Sequence, residues 1–480
     1  MTLGKGHIHP EGKGNYPMFR IDRLTGLIVT LSLVFITTDF VIAQTSLGGD
    51  VKPGRALRLT ITGDMKLSFV DRSESFGEAA FGDTLGGAAP VLASGWGDPD
   101  GFFIDPIVHI GIEAEISDAV NATISLETPF DVGVNGRDGN IPFSLGEAVV
   151  SWEGAFSPEL NLDFGLVDYV VDFSGNGNPF FIDLGNSESA FGNGNGDPDD
   201  DPGTPQSSSA GRVQSLQSAG AVGHYDLGEN TLDVFIFDIS PVDSETLFGL
   251  IYGLPLDTGD YQGDLGITLV NASNDSGGSL LTVGGGGHLA GSDGMKFYGE
   301  IYWQFGDYGS DIDGGTINQD AYGLVAGLHY DLPEADEEEA PWIDVSIWDL
   351  SGDDDASDGE NSNFVSYEFN NDTIVLEDAY YGLDIDTNYR ALKIKGGMNL
   401  SPEWSVQAMY AYATLNKNGG GAVSNGNSSD KIGDEFDFRL VHRATDYLTF
   451  YFNAGTLQNA KALGVGSGIE VISVTSEVRF

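Results

Sequence analysis

Residues 57–69 read LRLTITGDMKLSF. Leu57, Leu59, Ile61, Met65, Leu67 and Phe69 fall on one side of a chain of period two, and Arg58, Thr60, Thr62, Asp64, Lys66 and Ser68 fall on the other. Side chains of a β-strand alternate faces, so this is a strand with one apolar and one polar surface. Strands of soluble proteins average about five or six residues. A tilted strand crossing a bilayer needs about 9–11, and the thirteen residues here reach that length.

The alternation recurs along the chain. Val108, Ile110, Ile112 and Ala114 oppose His109, Glu113 and Glu115. Phe297, Ile301, Trp303 and Phe305 oppose Lys296, Tyr298, Glu300 and Gln304. Leu392 and Ile394 oppose Lys393 and Lys395, and Phe436, Phe438 and Leu440 oppose Glu435, Asp437 and Arg439. The chain ends in the same pattern: Val471, Ser473, Thr475, Glu477 and Arg479 alternate with Ile472, Val474, Ser476, Val478 and Phe480. Short polar turns near 117–119, 157–159, 228–230, 401–403 and 444–446 take turns with long Gly/Asp/Asn/Ser loops at 72–101, 169–212, 351–388, 414–434 and 456–468. Short turns on one rim and long loops on the other are the pattern of a transmembrane β-barrel.

Parity constrains the number of strands. With both termini on the short-turn side, the directions counted forward from Leu57 and backward from Phe480 agree only if TLFGLIYG at 246–253 is also a strand. The expectation is an all-β, antiparallel barrel of about eighteen strands, with sixteen as the alternative. Aromatics near strand ends (Phe69, Trp152, Tyr225, Trp303, Tyr330 and Trp404 among them) fit interfacial girdles. A propeller or solenoid would show self-similarity at a fixed period, and none is visible.

Composition removes other classes. The 480 residues carry 73 Asp and Glu against 21 Lys and Arg, a net charge of -52, so phosphate neutralisation and nucleic-acid binding are excluded. With no Cys there is no disulfide and no thiolate chemistry. His109, His224, His288, His329 and His442 are accompanied by neither a G-x-S-x-G elbow nor an H-E-x-x-H helix, so no enzyme is expected. The Gly run 284–287 lies within a strand pattern, which makes it no phosphate loop.

At the N-terminus, Arg20 and Arg23 precede an apolar stretch at 24–36, and Val41-Ile42-Ala43 offers a small-residue cleavage point. Residues 1–43 therefore read as a signal peptide, with Met18 an alternative start, and 44–480 as the barrel with long extracellular loops. The place such a chain occupies is the bacterial outer membrane, with lipid around it.

The C-terminal half resembles the alginate-export family of outer-membrane barrels. Tyr298-Gly299-Glu300, Trp303-Gln304-Phe305-Gly306, Asp320-Ala321-Tyr322, Gly327-Leu328-His329-Tyr330, Ser351-Gly352-Asp353 and Gly433-Asp434-Glu435-Phe436-Asp437 carry that resemblance, in order, over about 295–455. It implies an eighteen-stranded barrel and a channel. The N-terminal half is more generally porin-like, through Leu145-Gly146-Glu147-Ala148 and Leu162-Asp163-Phe164-Gly165. The exporter's lumen is rich in Arg, whereas only Arg212 is basic here between Arg137 and Lys296. The terminal aromatic Phe480 resembles the signal read by the barrel-assembly machinery.

The expected function is a channel for passive diffusion of small hydrophilic solutes. Its alternatives are export of a polysaccharide, and a structural or adhesive barrel with a plugged pore. Candidate pore-lining residues are Arg58, Lys66, Lys393, Lys395 and Arg439 on a basic wall, facing Glu113, Glu115, Glu127 and Asp163 on acidic ones. Such a transverse field would orient dipolar solutes, against the plainer reading of paired or solvated charges in a wet pore. Loop 169–212 is a candidate constriction. No cofactor is expected, except that Asp197, Asp199, Asp200 and Asp201, or Asp353, Asp354 and Asp355, offer hard oxygen ligands to Ca²⁺; like-charge blocks are more often simply solvated.

Overall fold

The computed structural model describes residues 49–480 except 53–54, 75–100, 128–143, 176–179, 184–218, 241–244, 275–276, 311–315, 334–339, 354–358, 368–371, 379–384, 386, 418–429 and 461–467. The expected signal peptide lies outside the described residues.

Eighteen strands follow one another around a closed ring. They are β1 (Arg55–Glu74), β2 (Gly101–Glu115), β3 (Val120–Glu127), β4 (Ser144–Trp152), β5 (Leu160–Leu166) and β6 (Ala219–Asp226). Then come β7 (Thr231–Ser240), β8 (Glu245–Asp257), β9 (Tyr261–Ser273), β10 (Ser279–Gly291), β11 (Met295–Ser310) and β12 (Thr316–Asp331). The last six are β13 (Trp342–Leu350), β14 (Tyr389–Ser401), β15 (Trp404–Leu415), β16 (Lys431–Thr445), β17 (Leu448–Gln458) and β18 (Ile469–Arg479). Each pairs antiparallel with its sequence neighbours. The ring closes where β1 meets β18, in a register running from Asp64 opposite Arg479 to Glu74 opposite Ile469. Phe480 completes the seam: its N–H donates to the Gly63 carbonyl and its own carbonyl accepts the Gly63 N–H, both at 2.9 Å. Closure leaves the eighteen-stranded ring without an edge strand. The stretch 246–253 lies inside β8, as parity required.

Period two sorts the side chains. Met65, Ile267, Phe297, Ile347, Phe436 and Phe438 point outward and are exposed, although each is large and apolar. Their lumen-side neighbours on the same strands include the buried polar groups Thr268, Glu300, Ser346, Glu435 and Asp437. A soluble protein rarely leaves an apolar surface of that extent in water, whereas a bilayer covers it.

The rims differ from the expected pattern in two respects. The strands run further than the loops drawn from sequence, since β1 reaches Glu74, β16 begins at Lys431 and β17 reaches Gln458. The loop rim is also uneven. Its connections at 241–244, 274–278 and 311–315 are short, so the long loops gather over the arc from β13 through β18 to β6.

Candidate functional site

Two segments from the loop rim turn into the barrel, and neither alternates apolar with polar. The first lies within 167–183. Its Phe180, Phe181 and Ile182 are consecutive and almost wholly buried. Tyr169 Oη donates to Asp233 Oδ2 at 2.9 Å, and its ring packs on Phe235 with centroids 5.1 Å apart. The Phe173 carbonyl accepts from His288 Nδ1 at 3.1 Å, and the Gly175 carbonyl accepts from Lys296 Nζ at 2.7 Å. Glycines on the lumen face of β9 and β10 make room for bulk there. A Cβ at Gly266 would strike the Phe173 ring, and one at Gly284 would strike Tyr302. The Gly run 284–287 therefore serves close packing on a strand.

The second segment, within 361–388, crosses from β11 to β16 as a strap. The Gln304 side chain pairs with it as a strand would: Nε2 donates to the Val365 carbonyl at 2.7 Å, and Oε1 accepts the Val365 N–H at 2.9 Å. Gln319 Nε2 donates to the Asn363 carbonyl at 2.7 Å. On the far side, Glu435 accepts the N–H groups of Val375 at 2.6 Å and Leu376 at 2.8 Å, and Asp437 accepts that of Ile374 at 3.1 Å. Three consecutive strap amides are thus satisfied by two wall carboxylates, as buried backbone groups require. The two inward segments also join each other, where the Tyr367 N–H donates to the Phe181 carbonyl at 2.9 Å and Phe180 stacks on Phe364.

The strap's charges meet those of β14. Lys393 Nζ lies 2.5 Å from Glu377 Oε1 and 3.6 Å from Asp372, while Lys395 Nζ lies 2.8 Å from Asp372. Lys393 also sits 3.7 Å above the Trp348 ring, a cation–π contact. Burial pushes the Asp372 carboxyl up, but the Lys393 and Lys395 ammoniums outweigh it and hold it down at about 2. For Glu377, burial wins over the attraction of Lys393 and the carboxyl is raised.

Beneath these segments, toward the short-turn rim, lies a cavity of about 270 Å³. Ser174 and Phe180 of the first segment and Asp372 of the strap form one side. The wall contributes Tyr298 and Glu300 of β11, His329 of β12, Trp342, Asp344 and Trp348 of β13, and Lys395 of β14.

The residues singled out from sequence are dispersed rather than opposed. The basic strands β14, β16, β18 and β1 and the acidic β2, β3 and β5 occupy contiguous arcs of the wall, because β1 pairs directly with β2. Arg58 accordingly lies 3.5 Å from Glu115 on the neighbouring strand. Lys66 is in register with Glu477, and Glu113 with Thr60. Asp163 approaches His224 at 3.4 Å, and His224 contacts Asp233 at 2.9 Å. Arg439 donates to Asn453 at 2.9 Å. Glu127 is the last residue of β3. Among the described residues, Lys393 and Lys395 are the members of this set that reach the inward segments, and Lys393 is covered by the strap, with 1% of its side chain exposed. Of the acidic loop positions, Asp353 is buried and its N–H donates to Asn363. Asp354, Asp355, Asp197, Asp199, Asp200 and Asp201 lie outside the described residues. Among the described residues no group of three Asp, Glu or His side chains converges as a metal site.

Sequence reasoning missed the strap and its anchors Gln304, Gln319, Glu435 and Asp437. One signal was available: Pro179-Phe180-Phe181-Ile182 and Thr373-Ile374-Val375-Leu376 are apolar runs without alternation inside otherwise polar loops.

A closed, antiparallel, eighteen-stranded ring with an apolar outside, a polar inside and inward loop segments defines a porin-type barrel. The solved structures it resembles are of that kind. Against Pseudomonas aeruginosa OccK11 (OpdR) the TM-score is 0.51 at 10% identity, covering 88% of this chain and 96% of that one. Pseudomonas aeruginosa OpdQ gives 0.51 at 11% identity, with 88% and 97% covered. Pseudomonas aeruginosa OccK2 (OpdF), in complex with glucuronate, gives 0.51 at 9% identity, with 88% and 96% covered. At such identities the likeness is one of fold. No family model matches the chain, and no curated protein matches it.

Proposed function

We propose that this chain is a channel of the bacterial outer membrane through which small hydrophilic solutes diffuse passively. The observation that carries the reading is the division of its surfaces. An apolar exterior needs lipid, and an enclosed lumen lined with charge and narrowed by two inward segments suits passage of polar solutes limited by size. OccK2 holds glucuronate, and a small polar solute in a barrel of the same fold supports this reading. In the outer membrane the chain would meet the barrel-assembly machinery, with Phe480 at the strand end that such machinery reads.

A second reading, export of a polysaccharide, draws on the C-terminal blocks that resemble the alginate-export family. Two of those blocks contain the strap anchors Gln304, Glu435 and Asp437. Charge weighs against a polyanion: from Leu160 to Gly291, the described wall strands β5–β10 carry neither Lys nor Arg. Liposome swelling with graded sugars separates the readings. Size-limited entry of small sugars supports the passive channel. Exclusion of small sugars with passage of a polymer supports export, and no flux of either supports a plugged structural barrel.

A further inference from the structure

The cavity under the strap is lined by charges of both signs, and each of them is already engaged by the protein. Asp372 of the strap meets Lys395 at 2.8 Å and Lys393 at 3.6 Å. Asp344 accepts the Tyr298 hydroxyl at 2.8 Å and lies 3.5 Å from His329 Nδ1. Lys296, in register with His329, attracts both Asp344 and Asp331, and its Nζ donates to the Gly175 carbonyl at 2.7 Å. Glu300 Oε2 accepts the Tyr302 hydroxyl at 2.8 Å. An anionic solute entering here meets Asp344 and Asp372, and a cationic one meets Lys395 and Lys296. Either must compete with pairs that wall and strap have already formed.

What the pairs leave over is hydrogen-bonding capacity. An ionised carboxylate has about four acceptor sites and an ammonium three donors, so Asp344, Asp372 and Lys395 keep some of each. Gln407 of β15 adds an amide that both donates and accepts. Aromatic surface stands between these polar groups: Trp342 and Tyr298 are half-buried, and Phe180 and Trp348 are buried. Trp342, Gly397 and Gln407 form one row across β13, β14 and β15. The missing side chain in the middle of that row seats the indole, since a Cβ at Gly397 would meet Trp342 Cζ2 at 2.7 Å. The ring stacks on His329 with centroids 5.4 Å apart. At about 270 Å³, the cavity lies just below the range of ~300–1,000 Å³ that holds drug-sized ligands.

We infer that this cavity is a solute subsite of the lumen and takes a neutral polyhydroxy solute of monosaccharide size. The inference deepens the channel reading above and rests on it. A pyranose has hydroxyls around its edge, which donate to Asp344 and accept from Lys395 and Gln407. Its C–H groups make an apolar face that packs on Trp342. Aromatic surface with a few placed polar groups is the make-up of a small-molecule site. Because the solute carries no charge, it uses the spare hydrogen-bonding positions without disturbing the ion pairs that hold the strap.

The test is calorimetric titration of the purified protein in detergent with glucose, glucuronate and protonated glucosamine, beside its conductance in a planar bilayer. Glucose is expected to bind saturably, and both charged sugars about tenfold or more weaker, because like charges brought together oppose binding. Trp342→Ala should abolish glucose binding. Asp344→Asn should weaken glucose and strengthen glucuronate, since it removes an acceptor and a like charge together; a merely structural role would weaken both. Glu115→Gln, at the Arg58 contact on another arc of the wall, should change neither. Equal or tighter binding of either charged sugar overturns the assignment. So does protein that is folded by heat-modifiable gel mobility and binds no glucose. If Trp342→Ala does not fold, an unchanged ratio of glucose to glucuronate affinity in Asp344→Asn overturns it instead. Conductance without glucose binding removes the subsite and keeps the channel, whereas saturable binding to a barrel that does not conduct keeps the pocket and removes the channel.

Discussion

Lys393 and Glu377, one on the barrel wall and one on the strap, meet at 2.5 Å with 1% and 3% of their side chains exposed. Removing one member of such a pair leaves the other charge buried without its partner, which costs about 3–5 kcal/mol. Lys393→Met is therefore expected to loosen the strap about 100-fold or more, at 1.4 kcal/mol per factor of ten. The chain has no Cys, so a single cysteine at the buried Val375 reports it. Its labelling rate should rise in the Lys393→Met background, and an unchanged rate would mean that the pair does not hold the strap.

The Glu435 grip acts on the same strap from the next wall segment but one. Glu435→Leu removes the acceptor of two buried amides, each hydrogen bond to a charged group contributing about 1.5–3 kcal/mol. The barrel seam between β1 and β18 is remote from this contact, so strap and barrel should separate in the readout. Faster labelling of a cysteine at Val375 is expected, with heat-modifiable gel mobility of the folded barrel retained. Loss of the folded band instead would place Glu435 in the barrel's own stability.

Acid should act on the strap through Asp372. Its carboxyl lies at about 2, below the usual carboxylate value. A depressed folded-state value stabilises the ionised form, so that contribution is complete above about pH 4 and is lost as pH falls toward 2. Glu377 has the opposite sign: its carboxyl is raised, so its ionisation weakens the folded strap as pH rises, and acid relieves that. The net expectation is release of the Lys395 contact only between about pH 4 and 2. Asp372→Asn should flatten strap labelling over that window; a wild-type profile already flat there would dismiss the role of Asp372.

The apolar exterior makes its own prediction. Ile267, at mid-length of β9, is 53% exposed on the outer face. An arginine on the lipid face near mid-bilayer costs about 2–4 kcal/mol. Ile267→Arg should lower the yield of folded barrel in lipid vesicles, whereas Thr268→Ser, one residue on and facing the lumen, should not. Equal folding of both variants would argue against lipid on that face.

Much of this architecture was legible in the residue order. The alternation in 57–69 and its repeats gave the strands, their faces and, through parity, the one at 246–253. That succeeds because period two is a local property: each residue's side of the sheet follows from its neighbour's. Phe480 could be assigned to the last strand for the same reason, while its mutual hydrogen bonds with Gly63 required the ring to close.

Lumen chemistry was not local in this sense. Lys393 and Lys395 read as a basic wall because parity places them inside the barrel. Their partners Asp372 and Glu377 lie in a loop whose path no periodicity describes. Gln304 and Val365, or Glu435 and Val375, are about sixty residues apart and meet only because eighteen strands close and a strap folds back between them. The sequence by itself determined a barrel, its strand number and which side of each strand is wet. Only the tertiary structure decided which charges inside are already paired, because pairing depends on distance across the lumen.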